Sequence, residues 1–333
     1  MRWSSGYTAT YYAEVLDAES WRGIQRFEIP SGKISRTGDG LRQSADIDCR
    51  EVVGEKYIRI WMDARQDGGD AHEALFTGLT SQPEVEWTGF VPNRSLACYS
   101  VLKAADDIQL QRGWYAPAGV NAGMMIQRLL QATPAPVEII GSMPDLSTSI
   151  VAEDGETHVT MVDKILLATG YRMRILGDGT IQIRPYDTDA FQRFSIADND
   201  SIEPRITVTD DWFACPNVYQ AIADDLTAIV RDDDPSSFLS VPNRGREVWM
   251  TESDCDLADN ESIGQYAWRR LKEEQSRAFV VEYDRRYDPA LLVGDVVELS
   301  YPSIGISGKY RIESQSINLG HNATTSEEVV AVE

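Results

Sequence analysis

Short alternating segments, separated by turn residues, constrain this chain more than any other feature. Up to about residue 95 they follow one another closely, at 7–15, 24–29, 40–50, 57–62, 75–80 and 83–88. A period of two sends one side of each segment into a core and the other into water. Strands this short and this closely spaced build an all-β barrel or sandwich rather than βαβ units. Within 57–62, Ile58, Ile60 and Met62 share one face, and Tyr57, Arg59 and Trp61 the other. Within 44–50 the inward set is Ala45, Ile47 and Cys49, so Asp46 and Asp48 face outward.

The segment between Met62 and Leu75 raises a question of chemistry, because Asp63, Asp67, Asp70, His72 and Glu73 fall within it. The Gly68-Gly69 pair supplies the backbone freedom of a hairpin turn, and flanking aspartates favour chain reversal by bonding their own backbone. The expectation is therefore a turn with solvated loop carboxylates. A transition-metal site would want two or more His or Cys at fixed spacing, which one histidine does not provide.

After Arg94 the character changes. A strand is predicted to run into a short helix between 95 and 107. Asn121 is positioned to cap a helix in which Met125, Ile126, Leu129 and Leu130 recur at helical spacing before Pro134. A second helix is expected over 159–169, closed by Gly170, and then a hairpin over 171–184 turning at Gly177-Asp178-Gly179. From about 206 strands return, with a pair within 218–230, a helix over about 259–277, an alternating run at 279–285, and strands at 293–299 and 308–312. In 279–285 the polar face carries Glu282 and Asp284. The consecutive Asp232, Asp233 and Asp234 read as a solvated turn, since they lack the spaced ligands and distal glutamate of a calcium loop. The fold class is thus mainly β with an α+β insert, divided as 1–95, 96–205 and 206–333.

Length, charge and cysteine usage narrow the function. The 333 residues suffice for two or three cores. No apolar run long enough for a signal peptide or membrane span occurs, so neither is expected. Cys49, Cys98, Cys215 and Cys255 stand singly, which argues for reduced core residues rather than zinc ligands or disulfides. Acidic residues outnumber basic ones 53 to 31, giving a net charge of −22, and tight nucleic-acid binding needs the opposite. Solubility or a saline habitat accounts for such acidity, and only six of the 31 basic residues are lysine. The sharper reading is a surface past which a polyanion moves without sticking.

Catalytic chemistry finds no support. His72, His158 and His321 are scattered, and no GxSxG elbow, P-loop or strand-flanked GxGxxG is present. No catalytic, cofactor or metal residue is predicted. Two other classes stay open: a carbohydrate-binding protein for host attachment, and a glycoside hydrolase using two carboxylates. Of the eight tryptophans, Trp61, Trp87, Trp212 and Trp268 sit in patterned segments and are read as core.

The order of segments resembles a known family. Its carriers are the opening 13–17 and the strands to Cys49, the hairpin ending in Phe76-Thr77-Gly78, and Trp114-Tyr115-Ala116-Pro117-Ala118-Gly119 before its helix. They continue with Ala168-Thr169-Gly170-Tyr171 leading to Ile183, the turn Pro242-Asn243-Arg244-Gly245-Arg246, and the helix at 267–271. The last are 289–297 and Gly308-Lys309-Tyr310-Arg311-Ile312. Together they resemble the baseplate or tail tip hub proteins of tailed bacteriophages, the late control protein D type.

That resemblance implies two tail-tube-like β-barrel modules flanking a helix-plus-hairpin domain. It also implies a homotrimeric ring that adapts a sixfold tube to a threefold spike or fibre and leaves a channel for DNA. The expected partners are a distal tail or tail tube protein above, a spike, fibre or receptor-binding protein below, and a tape measure protein. DNA would pass without specific binding, and the protein would reside in the virion after assembly in the host cytoplasm. Candidate channel-lining residues are Asp46, Asp48, Glu282 and Asp284.

The turn chemistry of 63–73 generates a direct test. Thermal unfolding with and without a chelator should coincide; a drop of several degrees reversed by one specific ion would show a metal site instead.

Overall fold

A computed structural model describes residues 1–332 except 51–53, 82–83, 89–90, 186–193, 198–200, 211, 224, 256, 258–260, 277 and 321–323. The first part holds eight strands: β1 (Thr8–Leu16), β2 (Gly23–Glu28), β3 (Ser31–Thr37), β4 (Gln43–Cys49), β5 (Tyr57–Gln66), β6 (Gly69–Thr80), β7 (Glu84–Thr88) and β8 (Val91–Ser100). Alternation does what it dictates in β5, where Ile58, Ile60, Met62 and Ala64 are buried and their neighbours face out. β3 was not anticipated, because Ile34 is its single strongly apolar residue.

The β5–β6 hairpin corrects the reading of its charges. The strands continue to Gln66 and resume at Gly69, so only Asp67 and Gly68 turn the chain, with Gly68 at φ 112°. Asp63 therefore lies opposite His72, and Arg65 opposite Asp70, as ladder residues rather than loop charges. An outer face in water lets a strand extend through charged residues, and opposite-charge cross-strand pairs favour it. His72 Nδ1 lies 2.6 Å from Asp63 Oδ1, and its ring stacks 4.3 Å from that of Trp61.

The insert contains α1 (Lys103–Asp106), β9 (Tyr115–Ala116), α2 (Ala122–Leu129), β10 (Val137–Ile139), β11 (Ile150–Val151), α3 (His158–Thr169), β12 (Tyr171–Ile175) and β13 (Ile181–Pro185). Asn121 caps α2 by accepting from the Met124 N–H at 3.2 Å, and Gly170 ends α3 at φ 67°. The core of this unit gathers Leu102, Ile126, Leu130, Met161, Ile165 and Ile181. Its β12–β13 turn docks on β6, where a Cβ on Gly177 would lie 1.8 Å from the Ala74 carbonyl oxygen, so only glycine fits. Thr77 Oγ1 donates to the Gly177 carbonyl at 2.8 Å, and Arg59 Nη2 to that of Asp178 at 2.8 Å.

The remaining elements are β14 (Phe194–Ala197), β15 (Ser201–Asp210), β16 (Val218–Ala223), β17 (Leu226–Arg231), α4 (Val241–Arg244), β18 (Trp249–Glu252), α5 (Ile263–Ser276), β19 (Phe279–Arg286), β20 (Val296–Tyr301), β21 (Ile306–Leu319) and β22 (Thr324–Ala331). A small sheet ordered β17-β16-β18 carries α5 on one face, over a core of Tyr219, Ala221, Tyr266, Ala267 and Leu271.

Two expectations fail in this part. Asp232 is fully buried rather than solvated, because its carboxylate accepts from Ser237 Oγ at 2.7 Å, Gln275 Nε2 at 3.0 Å and the Asp234 N–H at 3.2 Å. Three donors replace the lost water and make burial tolerable. Trp268 is 41% exposed, since the buried stripe of α5 runs through Tyr266, Ala267 and Leu271 and leaves its neighbour outside. Trp87 and Trp212 are exposed as well, and Trp61 is half-buried on the outward parity of β5.

One large, mostly antiparallel sheet dominates, with path β15-β19-β22-β21-β3-β4-β8-β6-β5-β1-β2. The link between the first and last parts is the β21–β3 ladder, registered from Ser314 opposite Thr37 to Leu319 opposite Gly32. On its inner face Ile34 meets Ile317, and a polar row crosses four strands as Arg36, Gln315, Glu327 and Tyr283. Arg285, also buried, donates to Glu327 through Nε at 2.8 Å and Nη2 at 2.5 Å. Tyr283 Oη donates at 2.7 Å and Gln315 Nε2 at 2.7 Å to the same carboxylate. Burial alone would raise the Glu327 pKa; Arg285 and the hydroxyl and amide donors more than offset it and hold the carboxyl below its ordinary 4.5.

Glu327→Gln leaves Arg285 buried without its counter-charge and should cost about 3–5 kcal/mol in urea unfolding at neutral pH, with most of it recovered when Arg285 also becomes methionine. Because the folded state holds the Glu327 proton more weakly than the unfolded chain, this stabilisation is present above pH 4.5 and drains as pH falls through the lowered value. A variant whose acid unfolding matches the wild type would remove Glu327 from that account.

Candidate functional site: the polar face of the continuous sheet

Directly opposed residues in an antiparallel ladder point to the same side, so registers trace a face across strands. Asp46 on β4 pairs with Lys33 on β3, which pairs with Asn318 on β21. Two residues along, Ser44 pairs with Ser35, Ser35 with Ser316, Ser316 with Ser326 on β22, and Ser326 with Asp284 on β19. Asp48 shares the side of Asp46, and Glu282 that of Asp284. All four candidate lining residues therefore stand on one face of one sheet, opposite the buried row of Arg36, Gln315 and Glu327.

The face is acidic and rich in hydroxyls. Ser31 Oγ donates to Asp48 Oδ2, and Ser326 Oγ to Asp284 Oδ1, while Asp46 and Glu282 are exposed. Asn318 Nδ2 donates to Thr324 Oγ1 at 3.0 Å. Glu328 joins the set directly opposite Glu282, a like-charge pair that a sheet ordinarily avoids. Sequence reasoning missed Glu328, although strand parity was available: in the doublet Glu327-Glu328 one residue must face each way.

Among the described residues no group of three or more His, Cys, Asp or Glu could hold a metal ion, and no helix is long and apolar enough to cross a membrane. His158 Nδ1 lies 2.8 Å from the Leu129 carbonyl oxygen, while His321 falls outside the described residues. The four cysteines are free and buried.

No family model matches the sequence, and no curated protein matches it. Solved structures do. The tail protein from Neisseria meningitidis MC58 superposes with a TM-score of 0.73 at 15% identity, covering 98% of this chain and 97% of that one. The 43 kDa tail protein of prophage MuSo2 from Shewanella oneidensis gives 0.67 at 12%, covering 97% of each. The prophage tail protein gp18 from Listeria monocytogenes EGD-e gives 0.57 at 13%, covering 96% and 94%. The chain has the fold of phage tail proteins along nearly its whole length. The mainly β reading, with a large antiparallel sheet and small helices, matches that fold.

Opposed glutamates make a testable difference between the two faces. Glu282→Gln should raise stability in urea unfolding by about 0.2–1 kcal/mol by relieving its repulsion with Glu328, and Asp46→Asn should leave it within about 0.5 kcal/mol. Loss of more than about 1 kcal/mol in either variant would show that these side chains carry structural contacts.

Proposed function

We propose that the protein is the structural hub of a phage tail tip or baseplate. Three copies form a ring that adapts a sixfold tail tube to a threefold spike or fibre, with modules 1–95 and 206–333 acting as tube-like β-barrel units around the insert 96–205. Its neighbours are a distal tail or tail tube protein, a spike, fibre or receptor-binding protein, and a tape measure protein, and its location is the virion after assembly in the host cytoplasm. The observation that carries this reading is the β21–β3 ladder, which makes one sheet of the two modules and gathers Asp46, Asp48, Glu282 and Asp284 on one side.

That side lines the DNA channel in this reading. Across a confined bore the carboxylates lie within about a Debye length, roughly 8–10 Å, of passing phosphates and are incompletely screened. Like charge keeps the DNA mobile, whereas a basic wall would hold it through counterion release. The two ends of the sheet path, β15 and β2, each pair with one strand only among the described residues. They offer the heterologous contacts that a closed ring requires. The role assigns no catalytic residue, cofactor or metal.

Native mass spectrometry should find trimers at high concentration, or images of purified tails should show a threefold ring of this chain. In assembled particles, changing Asp46, Asp48, Glu282 and Asp284 together to lysine should slow DNA release, more at low salt than at high. A strict monomer absent from tails overturns the hub, and unaltered release at every salt concentration overturns the channel assignment alone.

A further inference from the structure

Where a sheet ends, its last strand presents N–H and C=O groups without partners, and folds protect such edges with charges, proline, register shifts or shortness. β2, β15 and β18 carry such protection. β2 bears Arg26 and Glu28 and shifts register against β1 at Val15/Leu16, β15 includes Pro204 and shifts register between Ser201 and Ile206, and β18 has four residues. β17 has none of it. It closes the sheet β17-β16-β18, pairs with β16 in unbroken register from Leu226 to Arg231, and reads Leu226-Thr227-Ala228-Ile229-Val230 with no charge before Arg231.

The ladder fixes which backbone groups of β17 are open. The Asp232 N–H donates to the Asn217 carbonyl at 2.9 Å, so Asp232 faces β16, and alternation turns Val230, Ala228 and Leu226 the same way. Thr227, Ile229 and Arg231 therefore aim N–H and C=O away from the sheet, and among the described residues no strand pairs with that edge. Their side chains stand opposite Ile222, Gln220 and Val218, on the side away from Tyr219, Ala221 and α5. Ile229 is 56% exposed, and Trp249, on the same side beyond Val218, is 50% exposed.

The charges at the two ends of the strand discriminate between occupants. Exposed Asp225 precedes β17 and exposed Asp233 and Asp234 follow it, while the Arg231 guanidinium is already engaged by Asp233 and Glu247. Lys272, the other cation near the far end, is paired with buried Asp232, so the surplus at both ends is negative. A second copy is a poor occupant. Paired antiparallel about Ile229, two β17 strands would set Asp225 of each opposite Asp233 of the other, a like-charge contact that opposes the ladder.

We propose that the open edge of β17 takes an extended segment of a partner protein as an added strand, with an apolar residue beside Ile229 and lysine or arginine at its flanks. Backbone bonds to Thr227, Ile229 and Arg231 supply affinity, and Ile229 selects the apolar side chain. The acidic ends select basic flanks and oppose a second copy.

The test uses the free full-length chain, so its outcome is independent of ring assembly. Fluorescence anisotropy would follow a fluorescein-labelled peptide of alternating threonine and valine flanked by lysine pairs, beside the same peptide flanked by glutamate pairs. The lysine-flanked peptide should bind, weaken as salt rises, and slow amide hydrogen exchange within 226–231. Thr227→Pro removes an outward N–H while sparing the bonds to β16 and should weaken binding at least about threefold, and Ile229→Ser at least about fivefold. The exposure of Ile229 keeps the second variant informative if the first unfolds, and thermal unfolding of each variant checks this. Absence of binding, equal binding of the glutamate-flanked peptide, unchanged exchange within 226–231, or indifference of folded variants to the substitutions would each overturn the proposal. Dimers of the free chain that Ile229→Ser dissolves would overturn it too, in favour of a second copy.

Discussion

The pairing of β21 with β3 is the contact on which the rest of this structure depends. It joins residues 32–37 to 314–319, so almost the whole chain lies within the loop it closes, and the loop-closure entropy is offset by what lies beneath the ladder. What lies beneath is the buried Arg285–Glu327 pair and the row through Arg36 and Gln315. An apolar row of similar volume would bind at least as tightly, since buried ion pairs are often replaceable by well-packed hydrophobes. It would not fix the register. A one-residue slip of β21 against β22 would turn Gln315 outward, bring Ser316 inward, and deprive Glu327 of a donor. The same slip would scatter the acidic face.

The contacts between the other units follow a different balance. Arg42 pairs with Asp163 between the first part and α3, and Arg174 with Asp295 between the insert and the last part. Both aspartates are shifted above the ordinary carboxylate range, burial being the main cause and the arginine only partly opposing it. Glu327 is more deeply buried yet shifts down, because it collects two guanidinium bonds, a phenol and an amide. The number of donors, more than burial, decides which effect wins. Stability carried by Asp163 and Asp295 is greatest at low pH and falls as pH rises through their raised values, opposite in sign to that of Glu327. Polar seams of this kind hold the units together beside apolar contacts such as Trp21 and Leu41 against the insert core.

Sequence made part of this legible and concealed the rest for identifiable reasons. The hairpin flanks at 57–62 and 171–184 and the caps Asn121 and Gly170 are local, so pattern and turn chemistry reach them. β3 was hidden because SGKISRT offers one apolar residue, and the second half of β21 because its inward positions include Gln315. Asp232 misled for the same reason: a buried polar residue is identified by partners distant in sequence, here Gln275 on α5. The outward parity of Asp46, Asp48, Glu282 and Asp284 was readable strand by strand. Their presence on a common face was not, since it rests on four successive ladders, one of which joins β3 to β21 from opposite ends of the chain.

The doublet Glu327-Glu328 shows how strand parity divides acidity between the two sides of the sheet. Identical neighbours receive opposite fates from strand parity alone: Glu327 is buried against Arg285, and Glu328 stands opposite Glu282. On β19 the same parity sends Arg285 inward and leaves Asp284 and Arg286 on outward positions. Two unit charges about 5 Å apart across a ladder repel by roughly 1 kcal/mol in water. Solubility could be met by acids at any outward position, with none directly opposed. Under the proposed hub role, a face that brings these carboxylates together where the first and last parts join would serve the passage of a polyanion along it.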